Sequence, residues 1–307
     1  MGRWTRRAAE TGRISPWWRV PSGDVPTKRR RRHLVPVILV TVVGLAAVGV
    51  YVVARGQVPT ILGETGCTAG AGKAAVALDP EQAQIAATIA GVAHRRDMPS
   101  RAVTVAYAAA MQESHLHNLD FGDRDSIGIF QQRPSEGWGP ASKLINPVYA
   151  STKFFQALAR VHDYRRLPVY KAAQAVQHSA DGSAYAQYQP VAAKLTAAFT
   201  GTSPRAVWCW PPGGTAGTAQ FTAARRALVQ TFGRLPAHSA ATAGDARSLL
   251  VRASQATIGW AVAAWLVTHA AQYRLSNVSY AGFRWSASQG EGWTKDKAAR
   301  ASAVVAT

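Results

Sequence analysis

Acidic residues are scarce in this 307-residue sequence: 16 Asp and Glu stand against 35 Lys and Arg, for a formal net charge of +19. The imbalance argues against cationic partners and for anionic ones. Cysteine is scarcer still, with only Cys67 and Cys209, which excludes a disulfide-dense small scaffold and an all-thiolate zinc site. Long apolar runs are absent but for one, Leu34 to Val53, 20 residues without a charge. Ile258 to Val267 is too short to be a second span, since about 17 apolar residues are needed. There is no internal repeat and none of the familiar zinc-hydrolase motifs. What remains is 48% hydrophobic, the proportion of ordinary globular protein, with room for one domain and accessory segments.

The charge is unevenly placed. Residues 1–33 hold ten Lys or Arg against two acids, and Arg29, Arg30, Arg31 and Arg32 directly precede the apolar run. Cations beside a span orient it with the N-terminus inside, so the chain reads as a basic cytoplasmic arm (1–33), one transmembrane helix (34–54) and an extracytoplasmic remainder. A cleaved signal peptide is the alternative, with Val52 and Ala54 as a small-residue site before Arg55; the long basic region favours a retained anchor. Cys67 follows Glu64, Thr65 and Gly66 and makes no lipid-attachment motif. Trp4, Trp17 and Trp18 interleave the basic arm as in a nucleic-acid contact, but 33 residues are too few to fold alone, and no specific nucleic-acid partner is expected. Both cysteines lie beyond the span, where disulfides persist, and their even count favours pairing over two separate thiols.

After the span, residues 55–76 read as a tether rich in Gly, Thr and small residues. Order is expected from residue 77. Asp79, Pro80, Glu81 and Gln82 form a helix start, and Ile85, Ala86, Ile89, Val92 and Ala93 follow at helical spacing. Pro99 and Ser100 open a second helix ending near Ser114, and Asn146 and Pro147 open a third through Phe154, Phe155 and Leu158. Further helices are expected at about 169–178 and 184–199. The Trp-Pro-Pro-Gly-Gly stretch marks a linker at 201–216. Residues 217–307 then read as a small α+β unit: helices at about 217–232 and 246–273 and two strands around Val278 to Trp285, turning at Tyr280, Ala281 and Gly282. Trp260 and Trp265 fall at core spacing, whereas Trp285 and Trp293 are candidates for a binding face. The fold class expected is mainly α.

The chemistry concentrates between Ala106 and Trp138. A helix ends in Glu113-Ser114, and a polar loop leads to Gly128-Ile129-Phe130-Gln131-Gln132. This pairing resembles the lysozyme-like superfamily, in particular the lytic transglycosylases, in which a Glu-Ser pair ends a buried helix and a Gly-hydrophobic-hydrophobic-Gln signature follows. The resemblance covers about residues 77–200. It implies a lysozyme-like α-helical catalytic domain that cleaves peptidoglycan between N-acetylmuramic acid and N-acetylglucosamine, with no cofactor. Glycoside cleavage needs a carboxylic acid to protonate the leaving oxygen. Glu113, among Ala110, Met111 and Phe130, is expected to be desolvated and held protonated.

The resemblance further implies that Ser114 orients that carboxyl or contacts substrate, that Gln131 lines the cleft beside Gln132, and that Gly128 permits close backbone approach. Ile129 and Phe130 fit the core better than the cleft. A second carboxylate would separate hydrolysis from transglycosylation. Asp120, Asp123 and Asp125 are the candidates, and Gly122-Asp123-Arg124 resembles the acidic loop of goose-type lysozymes. The Ala-Tyr-Asn element usual in transglycosylases is missing, its place taken by Ala175-Val176-Gln177-His178; Tyr185 and Tyr188 follow as candidate aromatic surface, with helix packing the expected fate of at least one. Trp138 is a candidate to stack on a sugar. His115 and His117 have no third ligand at suitable spacing, so no metal is expected. The rival reading is a non-catalytic wall-binding anchor or scaffold. The basic balance suits a Gram-positive envelope rich in phosphate polymers.

Overall fold

Asp79 caps helix α1 (Pro80–Arg95) as its sequence dictates. Its carboxylate accepts the Gln82 N–H at 2.9 Å, and the Gln82 side chain accepts the Asp79 N–H at 3.0 Å, closing a capping box that satisfies two orphan donors. The computed structural model describes residues 65–179, 182–210, 217–241, 247–288 and 292–307. The basic arm, the run Leu34–Val53 and the Val52/Ala54 alternative lie outside them. Among the described residues no helix is long and apolar enough to cross a membrane.

Helix α2 (Ser100–Ser114) is the centre of the helical layer. Ala102, Ala106, Ala108, Ala109 and Ala110 are buried along it, and their small side chains admit close neighbours: α1, α4 (Pro147–Leu158), α5 (Val169–Gln177) and α6 (Gln189–Phe199) all pack on α2. Tyr107 gives its hydroxyl proton to the Ala86 carbonyl at 2.7 Å, so this buried hydroxyl is satisfied. Asn146 caps α4 by accepting from Val148 and Tyr149. The buried face of α4 carries Phe154 and Phe155; Phe154 stacks on Phe130 at 4.4 Å between centroids. Rings so enclosed each contribute about 1.5–3 kcal/mol. The short α3 (Ala141–Leu144) precedes α4, and a 3-10 segment, Gly182–Tyr188, precedes α6.

Nine α-helices and nine strands among the described residues make the fold mixed α/β, with more sheet than the sequence suggests. Strand β1 (Gly66–Ala69) lies in the expected tether and β3 (Val207–Trp210) in the expected linker; with β2 (Val76–Leu78) they form an antiparallel sheet ordered β2-β1-β3. Cys67 faces Cys209 in the β1/β3 register, and the two form a disulfide. The helix expected over 246–273 is instead β5 (Arg247–Arg252) followed by α8 (Ala256–Thr268) and α9 (Ala270–Tyr273). Leu249, Leu250 and Val251 are an apolar run that fits strand and helix alike. Helix α7 (Phe221–Phe232) precedes β4 (Ala237–Ala241). With β6 (Asn277–Tyr280), β7 (Phe283–Ser286), β8 (Trp293–Lys295) and β9 (Ala303–Ala306), strands β4 and β5 complete an antiparallel sheet ordered β4-β5-β9-β6-β7-β8.

Helix α8 packs against both α1 and β6. Gly259 permits the second contact, because a Cβ there would stand 2.1 Å from the Tyr280 ring. Trp260 and Trp265 are buried as expected. Trp285 is not on a binding face: it is 1% exposed and its indole N–H donates to the Cys209 carbonyl at 3.0 Å. Trp293 is half-buried and donates to the Val207 carbonyl at 2.8 Å. Both indoles therefore tie the six-stranded sheet to β3.

His269 stacks on Trp265 at 4.0 Å in this same core, its Nδ1 2.8 Å from the Trp265 carbonyl. Burial, partly offset by that hydrogen bond, lowers its pKa from 6.5 to about 4. The unfolded chain therefore binds a proton that the folded chain refuses between those values, and stability falls as pH drops through that window. Urea unfolding at pH 7 and pH 4.5 is expected to show a loss of up to about 3 kcal/mol from this group. His269→Gln should flatten that segment of the profile; an unchanged pH slope in the variant would refute the assignment.

Candidate functional site

Helix α2 ends just beyond Glu113 in a left-handed turn. His115 (φ 52°) and Leu116 (φ 62°) reverse the chain, with the Leu116 N–H on the Ala110 carbonyl and the His115 N–H on that of Met111. The His115 bond is the 5→1 closure of a left-handed helix end, and Leu116 beyond it is buried. The turn leaves Glu113 half-buried on the outer side of the last helical turn, facing a cleft of about 660 Å³.

The Gly128–Gln131 turn brings Gln131 to the same cleft. It is closed at its base by paired backbone hydrogen bonds between Ile127 and Gln132, at 3.0 and 3.1 Å. Gly128 has φ +79°, and a Cβ there would lie 2.7 Å from the Leu144 carbonyl, so the close approach at this glycine is to the backbone of α3, and Gly128 is not among the residues lining the cleft. Ile129 and Phe130 are fully buried in the core. Gln131, itself at φ +46°, lines the cleft and donates its two amide protons to the carbonyls of Gly128 and Phe121.

Three residues expected to touch a ligand serve the framework instead. Ser114 is buried, and its hydroxyl donates to the Ile129 carbonyl at 2.9 Å, locking the turn to the end of α2. Gln132 is 2% exposed and donates to the Ala150 carbonyl at 3.4 Å. Tyr185 is 1% exposed and so offers no aromatic surface. Its hydroxyl donates instead to Glu113 Oε1 at 2.6 Å. Burial, then the hydrogen bond to Glu113, push the Tyr185 phenol well above its ordinary range, while a hydrogen bond with Ser179 pulls the other way. Tyr185 thus stays a proton donor to Glu113 at any physiological pH.

Of the three loop acids, Asp123 lines the cleft with Glu113, whereas Asp125 is committed elsewhere. Asp125 accepts from the Ser135 N–H, the Ser135 hydroxyl and Arg133 Nε, and the Ser135 backbone bond chief among these holds its carboxyl below the usual range. Asp120 is exposed outside the lining. Trp138 packs against the core on one side and lines the cleft on the other. His117 contacts Glu81 at 3.0 Å and Asp79 at 3.5 Å; among the described residues no group of three His, Cys, Asp or Glu could hold a metal.

The cleft is more polar than the sequence suggests. Ser126, Arg133, Glu136, Gln177, His178 and Ser179 line it as well, and sequence reading assigned no role there to any of them. Gln177 marks the place of the missing Tyr-Asn element and donates to the Phe130 carbonyl at 2.7 Å. The side-chain oxygens of Gln132 and Gln177 are enclosed without a hydrogen-bond donor. Buried acceptors left unpaired are costly, and these two are closed off from the solvent of the cleft. No protein-family model and no curated protein matches this chain.

Proposed function

We propose that the chain cleaves the glycan strands of peptidoglycan, with a lysozyme-like arrangement of its helical layer and Glu113 as general acid. The observation that carries this reading is Glu113 on the wall of a sugar-sized cleft, with its Oε1 fixed by the buried Tyr185 and with Gln131 of the Gly128–Gln131 turn lining the same cleft. The hydroxyl-rich, acetamido-bearing glycan suits a lining in which amides, hydroxyls and one half-buried Trp stand beside Glu113, Asp123, Arg133 and Glu136.

In this reading Glu113 passes its proton to the oxygen between N-acetylmuramic acid and N-acetylglucosamine as the C1–O bond breaks. The cation-like sugar is then captured by water or by its own 6-hydroxyl. Asp123 is the residue placed to activate water if hydrolysis is the outcome. The run Leu34–Val53 anchors the domain outside the membrane, against a Gram-positive wall whose phosphate polymers complement the net positive charge. Incubation of purified sacculi with the full-length chain, followed by mass spectrometry, tests the proposal: soluble muropeptides are expected. Anhydro and reducing ends, which differ by one water, report the nucleophile. Absence of any release would leave the wall-binding anchor as the surviving reading.

Tyr185 is a positioning residue in this scheme. Tyr185→Phe keeps the packed ring and removes the hydroxyl with its bonds to Glu113 and Ser179, so kcat is expected to fall about ten-fold with KM unchanged. A purely structural role would instead lower thermal stability and leave kcat per folded molecule intact.

A further inference from the structure

We propose that a second cleft, bounded by α1, α3, α4 and α7, binds a phosphate group. It has a volume of about 490 Å³, and no carboxylate lines it. Its cations are Arg95, at the C-terminal end of α1, and Lys143 on α3. Neither has an Asp or Glu oxygen within 4.0 Å among the described residues.

The polar side chains around these cations hold Arg95 in place or offer donors. Arg95 is half-buried; Nη2 donates to Thr152 Oγ1 at 2.6 Å and Nη1 to the Gln230 carbonyl. Thr152 in turn gives its proton to the Val148 carbonyl, so it anchors the guanidinium and takes no ligand. Two of the five guanidinium N–H groups are used by these bonds, which leaves three for an anion. Asn146 spends its oxygen on the N–H groups of Val148 and Tyr149, and so only its NH₂ is left to offer. Those N–H groups, the start of α4, are already capped and form no part of the site. The free guanidinium N–H groups, the Lys143 ammonium and the Asn146 amide are the donors left to the cleft.

A half-buried guanidinium without a counterion is an unfavourable arrangement that an anion relieves. Burial and then the neighbouring Arg96 charge lower the proton affinity of Arg95, the same imbalance seen from the proton's side. Phosphate suits the geometry because several tetrahedrally disposed oxygens can each take a donor from a different side chain. The cleft exceeds the size of a lone phosphate, leaving room for the alcohol on one or both sides of it. A phosphomonoester and a link of a polyol-phosphate polymer share this chemistry. The site is independent of Glu113 and of the glycan-cleaving reading.

Equilibrium dialysis of the full-length chain at 150 mM salt, about the physiological ionic strength, tests the assignment with two probes: inorganic phosphate and a short glycerol-phosphate oligomer. One saturable site per chain is expected for at least one probe. Lys143→Glu, at an exposed position that leaves the fold intact, should weaken it by at least about ten-fold. Arg95→Gln should do the same, while Arg30→Gln in the basic arm should not. Saturation by inorganic phosphate identifies a monoester-type site, and saturation by the oligomer alone identifies a diester link. Absence of saturable binding, or binding that Lys143→Glu leaves unchanged, would overturn the proposal.

Discussion

Glu113→Gln is expected to lower muropeptide release from sacculi by roughly a hundred- to ten-thousand-fold, the usual contribution of a positioned general acid. The substitution keeps the shape of the side chain and an oxygen able to accept from Tyr185, so folding should be untouched, within about 0.5 kcal/mol. What the amide lacks is the proton for the leaving oxygen. Equal release by variant and parent would remove the enzymatic reading while leaving the fold as described. Asp123→Asn refines the result, because Asp123 is the loop acid that lines the cleft with Glu113. If water is the nucleophile and Asp123 its base, that variant falls alongside Glu113→Gln. If the sugar's 6-hydroxyl is the nucleophile, Asp123→Asn keeps most of the rate and the products carry anhydro ends.

The parts of this arrangement that sequence makes legible are the local ones. The Asp79–Gln82 capping box, the Asn146–Pro147 start and the Gly128 turn each declare themselves within a few residues. The same holds for Glu113 at the end of a buried helix. What escapes is what depends on distant partners. Tyr185 reads as an exposed aromatic because its partner, Glu113, stands 72 residues away in the chain. Trp285 reads as a surface ring because the carbonyl that satisfies its indole belongs to Cys209, 76 residues earlier. In sequence Asp123 is set apart from Asp125 only by the resemblance of Gly122-Asp123-Arg124 to an acidic loop, whereas in the fold the turn that brings Ser135 and Arg133 to Asp125 separates them. Strands β1 and β3 escape for the same reason: four-residue segments among small residues and Trp carry little periodicity, and their pairing closes across the helical layer that carries Glu113.

That closure makes the disulfide the largest single stabilising element open to test. Cys67 and Cys209 are 142 residues apart in the chain, and linking them confines the unfolded chain over the whole stretch from α1 to β3. Its removal, by reduction or by the double change to Ser, is expected to cost about 2–5 kcal/mol, visible as a lower denaturant midpoint. The loss should spread beyond the three-stranded sheet, because the Cys209 carbonyl also holds Trp285 of β7 and the Val207 carbonyl holds Trp293 of β8. Near-ultraviolet circular dichroism from those indoles should therefore vanish in step with the helical signal, as one transition. Neither cysteine lines the Glu113 cleft, so activity per folded molecule should survive at low temperature. A midpoint unmoved by reductant would mean that the β1/β3 pairing stands without its covalent link. A tryptophan transition separated from the helical one would mean that the six-stranded sheet melts independently of the layer that carries Glu113.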